Sequence, residues 1–134
     1  MWTIRRSPEI SSSAIRNYTR VRVTRQYTTI ILHIAADKTK EFEAMFEGEE
    51  LKRWDDYTRR GRFVEARLIR CHHSDFQSEG IQDYVLHVVT ADEEAHHEHD
   101  EDPDFKAFDE RAEAFQPKEP SVTFGELVFE RKST

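Results

Sequence analysis

Two histidines occupy matched settings in this chain. Ile31-Leu32-His33-Ile34 runs into Ala36-Asp37, and Val85-Leu86-His87-Val88 runs into Ala91-Asp92. Imidazole titrates near neutral pH, so a close pair could relay protons, serve as general base or bind a metal. His33 and His87 are therefore the candidate catalytic residues. A second echo, Phe63-Val64-Glu65 and Phe124-Gly125-Glu126, brings two carboxylates. Glu65 or Glu126 would orient a ring or accept a proton, and Arg67 beside Glu65 could clamp a polar ligand group. A plainer reading makes both histidines hydrogen-bonded interface residues, matched only because the units repeat.

A separate cluster lies at His96, His97 and His99, among Glu93, Glu94, Glu98, Asp100, Glu101 and Asp102. On a helix Asp92, His96 and His99 share one face, a workable spacing for three metal ligands. The tighter H-E-x-x-H signature of a hydrolytic zinc site is missing, and a solvated acidic helix end explains the run as simply. Phosphate-cradling glycine loops, a nucleophile elbow and paired CxxC cysteines are also missing, and there are only four glycines. No cofactor is expected. Cys71 is the one cysteine, which suits a reducing cytoplasm.

These side chains need elements to place them. Tyr18–Arg25 would suit a short exposed strand, and Tyr27–Ala35 is a stronger one, rich in Thr, Ile and Leu. Asp37 offers an N-cap to a helix carrying Phe42, Met45, Phe46, Leu51, Trp54 and Tyr57, which Gly48 should kink or break and Gly61 should close. Phe63–Arg70 reads as a second strand and Asp83–Val89 as a third. Asp92 then starts a helix interrupted at Asp102-Pro103, followed by the stripe Phe105, Phe108, Ala112 and Phe115. Ser121–Arg131 reads as the last strand. The order βαββαβ is the ferredoxin-like α+β pattern, a four-stranded antiparallel sheet with the first and third strands central. Right-handed crossovers suggest that this central pair runs parallel.

Side chains alternate across a strand, so each strand divides into two sets. Leu32, Ile34, Val64, Ala66, Leu68, Leu86, Val88, Leu127 and Phe129 form an apolar set for the helix side. Ile31, His33, Phe63, Glu65, Arg67, Val85, His87, Phe124, Glu126 and Val128 form the other. That second face is too apolar for water and too charged for a dry core. It should meet a second subunit or line a ligand cavity, or do both.

The segments Thr28–Asp37, Phe63–Arg70, Tyr84–Asp92 and Asp102–Phe108 together resemble the dimeric α/β-barrel superfamily over roughly residues 27–131. That superfamily includes the antibiotic-biosynthesis monooxygenase-like and stress-responsive small proteins. The resemblance implies a homodimer whose sheets pair into a barrel with a cavity in each subunit. Cofactor-free monooxygenases of that group set an Asn, a Trp and a His around the cavity. Trp54 would stand for the Trp, whereas Asp104 precedes Phe105 where the His is usual, and the one Asn, Asn17, lies outside the region of resemblance.

Length and charge bound the rest. The 134 residues make one domain, 27–134, preceded by a basic arm, 1–26, with six arginines and one acid. The arm is also Ser-rich, as transit peptides are. Net charge is −7, which argues against broad nucleic-acid binding. No apolar run is long enough to span a bilayer. The leading expectation is a dimeric barrel that binds a modest apolar or aromatic molecule between Trp54, Phe63 and Phe124, oriented by His33, His87, Glu65, Arg67 and Glu126. A cofactor-independent monooxygenase-like enzyme using a cavity histidine as general base is the alternative. A non-catalytic assembly protein that recruits a partner through the arm is the third.

Overall fold

In a computed structural model, residues 25–133 are described. The expected strand Tyr18–Arg25, apart from Arg25 itself, and nearly all of the basic arm lie outside them. The elements run β1 (Gln26–Ala35), α1 (Thr39–Met45), a π-helical turn (Phe46–Glu50), α2 (Leu51–Arg59), β2 (Phe63–Arg70), β3 (Ile81–Thr90), α3 (Glu93–Glu101), α4 (Pro103–Ala112) and β4 (Lys118–Gly125). The sheet order is β2-β3-β1-β4, as the βαββαβ pattern requires. No helix among the described residues is long and apolar enough to cross a membrane.

One expectation about the sheet centre is overturned: β1 and β3 are antiparallel, as is every pair in the sheet. Each helical crossover in a split βαβ unit joins two strands separated by a third, so the central neighbours inherit opposite directions. The consequence for the histidines is large. His33 faces Asp83 across the ladder and His87 faces Thr29. The two imidazoles are thus four residues apart along the strands, about 13 Å at the usual rise, and do not form a pair.

The helices cover one face of the sheet. Ile30, Leu32 and Ile34 of β1, Tyr84, Leu86 and Val88 of β3, and Phe42, Phe46, Tyr57, Phe105, Phe108 and Ala112 from the helical layer make the core. The stripe read from α4 is therefore its buried face. Caps fall as the residue types dictate. Asp92 accepts from the Ala95 backbone N–H at 2.7 Å and Asp102 from Asp104 at 2.9 Å, each satisfying a donor the helix cannot. Gly61 ends α2 at φ 72°, where its lack of a Cβ costs nothing. Asp37, expected to cap α1, instead sits inside a short 3-10 turn with no side-chain cap bond.

Gly48 does not break the first helix. The backbone widens into the π turn Phe46–Glu50 and continues into α2, a local widening that occurs often at functional sites. Two further corrections concern strand faces. The β2–β3 register shifts between Phe63 and Glu65, and this bulge turns Phe63 to the helix side, against Tyr57 and His99. Val64, expected inside, is exposed. The last strand also begins and ends early, with a register shift opposite Leu32 where Pro120 lacks an N–H. Phe124 pairs with Thr28 and so lies on the helix side, at the edge strand and 39% exposed. Glu126, Leu127, Val128 and Phe129 follow the strand without regular structure, and Phe129 is 91% exposed.

These placements predict unequal costs for two aromatic truncations. Phe63→Ala should destabilise by about 3–5 kcal/mol, the range for a buried Phe, and Phe124→Ala by only about 0.5 kcal/mol. Urea unfolding followed by circular dichroism measures both, and equal costs would contradict the bulge.

Candidate functional site

A groove of about 380 Å³ opens on the helix side, between the α1–α2 arm and the β2–β3 edge. Phe46 and Glu47 of the π turn, Leu51 and Trp54 of α2, Glu43 of α1, Leu68 and Arg70 of β2, and Tyr84 of β3 line it. Its volume falls at the lower end of ligand pockets, which run from about 300 to 1,000 Å³. The apolar end is aromatic: Trp54 meets Phe46 edge-to-face with ring centroids 5.1 Å apart.

The polar end is a three-residue cluster. The Tyr84 hydroxyl donates to Glu43 Oε2 at 2.5 Å, and Arg70 reaches both oxygens of the same carboxylate through Nη2 at 2.6 Å. Arg70, with Tyr84 behind it, holds the Glu43 carboxyl below its usual range. Burial, reinforced by the Glu43 carboxylate, pushes the Tyr84 hydroxyl up to about 12. At neutral pH the cluster therefore offers a carboxylate, a guanidinium and a protonated phenol.

Behind the groove wall lies a buried polar chain. Trp54 Nε1 donates to Glu50 Oε2 at 3.1 Å, and His99 Nε2 donates to the same oxygen at 2.7 Å. Arg53 Nε donates to the other oxygen of Glu50 at 2.6 Å. On its far side His99 Nδ1 faces Asp100 Oδ1 at 3.3 Å, and Asp100 Oδ2 lies 3.3 Å from His96 Nε2. His96 Nδ1 then approaches Thr28 Oγ1 of β1 at 3.5 Å. The π turn sets this up by directing Glu50 inward, where it is 2% exposed.

Aromatic rings pack around His99: Phe105 at 4.2 Å between centroids, Phe63 at 5.2 Å and Tyr57 at 5.4 Å. Burial alone would lower its pKa, but hydrogen bonds to Asp100 and Glu50 outweigh that and carry it up to about 9. Burial likewise opposes ionisation of Asp100, yet the two histidines hold its carboxyl below the usual range. Two carboxylates are thus matched by an imidazolium and the Arg53 guanidinium, the condition under which buried charge is tolerable.

The residues singled out from sequence separate into distinct places. Trp54 lines the groove. His87, Glu65 and Arg67 gather on the open face of the sheet, with His87 Nε2 3.9 Å from Glu65, Arg67 2.8 Å from the same carboxylate and Thr29 Oγ1 3.3 Å from His87 Nδ1. His33 shares that face but is fully buried against Asp83 at 2.7 Å. Its Nε2 and Asp83 Oδ2 meet no hydrogen-bond partner among the described residues. Phe63 and Phe124 are on the opposite side of the sheet from these groups, and Glu126 lies beyond β4.

Asp92 caps α3 and contacts Arg62, and it does not join His96 and His99. Among the described residues no group of three or more His, Cys, Asp or Glu side chains is arranged to hold a metal ion. Sequence reasoning missed Glu43, Arg70, Tyr84, Glu50 and Asp100. For Tyr84 the signal was present, because it shares strand parity with Leu86 and Val88. Glu50 carried none, because only the π turn directs it inward.

No protein-family model matches the chain, and no curated protein matches it significantly. Solved structures do. A protein of Caulobacter crescentus CB15 described as a "putative antibiotic biosynthesis monooxygenase" is 19% identical, with a TM-score of 0.63 over 79% of this chain and 92% of its own. A dimeric ferredoxin-like protein from an uncultured marine organism gives a TM-score of 0.66 at 10% identity, over 83% and 94%. SnoaB, a cofactor-independent oxygenase from Streptomyces nogalater, gives 0.50 at 18% identity, over 83% and 97%. The chain has the ferredoxin-like fold shared by antibiotic-biosynthesis-monooxygenase-like proteins.

The buried imidazolium makes stability depend on pH. Because the folded pKa of His99 lies above the usual value of 6.5, its contribution is complete below about 6.5 and is lost as pH rises through about 9. The melting temperature should therefore fall between pH 6.5 and 9.5, and His99→Gln should flatten that slope. Differential scanning calorimetry across the range measures both.

Proposed function

We propose that the chain binds a small, largely apolar aromatic molecule in the groove beside Trp54. One observation carries this reading: an aromatic wall (Phe46, Trp54) faces a compact polar cluster (Glu43, Arg70, Tyr84) across a space of ligand size. Such a combination holds a planar ring by packing and orients it by one or two hydrogen bonds. A neutral bicyclic amide such as 2-naphthamide matches it, with the rings on Trp54 and the amide at the Glu43–Tyr84 end.

Titration calorimetry with 2-naphthamide tests the reading. Tyr84→Phe keeps the ring and removes the hydroxyl, so it should weaken binding roughly tenfold, the scale of a hydrogen bond to a charged group. Trp54→Ala should abolish measurable binding. Unchanged affinity in both variants would remove the ligand from this groove.

The similarity of fold to two proteins described as monooxygenase or oxygenase favours a second reading, oxidation of an electron-rich arene by dioxygen without a cofactor. Among the described residues that line the groove, the groups available to handle a proton are Glu43, Glu47 and Tyr84, with no histidine among them. Dioxygen uptake with a hydroxynaphthalene, abolished by Tyr84→Phe, would support turnover.

We also propose that two copies meet through the open sheet face, with Tyr27, Thr29, Ile31, Val85 and His87 at the contact. That arrangement would enclose His33 and His87 between subunits, and the lone Cys71 would suit the reducing cytoplasm. The dimeric ferredoxin-like neighbour supports it. Size-exclusion chromatography with light scattering should give about twice the 15.9 kDa chain mass, and Ile31→Arg should give the chain mass; a wild-type monomer would refute the pairing.

A further inference from the structure

Trp54 belongs to two assemblies at once. Its ring lines the groove, and its Nε1 donates to Glu50 Oε2 inside the helical layer. That oxygen also takes the His99 Nε2 hydrogen bond, while Arg53 holds the other oxygen of the carboxylate. A buried carboxylate fixed by three donors has one low-energy position, and losing a donor redistributes it toward those that remain. Of the chain Thr28, His96, Asp100, His99, Glu50 and Trp54, only Trp54 reaches the groove.

We propose that Glu50 and His99 are positioning residues for the groove. His99 holds the Glu50 carboxylate, the carboxylate holds the Trp54 indole, and ligand affinity is thereby linked to the protonation of a histidine that no ligand touches. The inference rests on the groove being the binding site and specifies how that site is regulated.

The geometry of His99 supplies the switch. Both ring nitrogens face carboxylates, Nε2 toward Glu50 and Nδ1 toward Asp100. An imidazolium donates to both, whereas a neutral imidazole has one N–H and must turn a lone pair toward one of them. The titratable groups facing it are Glu50 from the π turn, Tyr57 from α2, and His96 and Asp100 from α3. Phe63 of β2 and Phe105 of α4 complete the enclosure with rings that do not titrate. Tyr57 is itself tied to Asp102 and the Glu98 carbonyl and its hydroxyl is pushed up to about 12. In the groove, Tyr84 also sits at about 12 and Glu43 is held low. Between pH 7 and 10 Tyr57, Tyr84 and Glu43 therefore keep their charge states, and the His99→Gln variant separates the His99 proton from that of any other group.

The test uses the full chain and 2-naphthamide, which stays neutral over this range. Calorimetric Kd should be flat to about pH 8 and weaken roughly fivefold by pH 10, the size of one neutral hydrogen bond. His99→Gln should show the weaker Kd already at pH 7 and no pH dependence, and Glu50→Gln should behave likewise. The second readout needs no ligand: in a Trp2→Phe chain the Trp54 emission maximum should titrate near pH 9, and His99→Gln should abolish that titration. Wild-type binding and emission that are both independent of pH would overturn the linkage without requiring any variant to fold. Failure of the probe to bind at any pH would instead overturn the groove, while the emission titration would still decide whether His99 positions the indole.

Discussion

The carboxylate of Glu50 joins the helical arm to α3 at the most deeply buried polar contact between them. It sits 2% exposed under the helices and accepts from Arg53 and Trp54 on its own helical arm and from His99 on α3. Without those donors the charge would be prohibitively costly in that position. Satisfying this buried anion ties the indole in the groove to α3, and together with Asp100 it holds the proton on His99. The π turn in the middle of this helical stretch ends at Glu50 and carries it inward, where an uninterrupted α-helix would point residue 50 elsewhere.

Sequence patterning went a long way because much of the fold is set by periods of two and 3.6. The alternation of Leu32 and Ile34 against Ile31 and His33 identified the two faces of β1, and the Phe105–Phe108–Ala112 stripe identified the buried face of α4. Asp92 and Asp102 announced two helix starts that the caps confirm. The ferredoxin-like order followed from counting elements. Where the assignment of strand faces failed, it failed at departures from periodicity. The bulge at Phe63–Glu65 inverted one side chain, and the break around Pro120 shifted the parity of β4.

The site was harder to read for a different reason. His33 and His87 looked like a pair because similar words surround them, but antiparallel neighbours bring together the beginning of one strand and the end of the other. Repeated sequence then separates residues in space instead of matching them. The acidic run around His96–His99 looked solvated because its composition is that of a surface helix. Only the docking of α3 against the π turn shows that His96, His99 and Asp100 face inward, where each charge finds a partner.

Strand β1 also acts as a septum. Thr28 touches the buried His96 on the helix side, while His33, five residues later, turns to the other face and to Asp83. Two histidine systems thus hang from one strand on opposite faces of the sheet. Each system therefore answers to its own surroundings, and what sets them on separate faces is the alternation of side chains along β1.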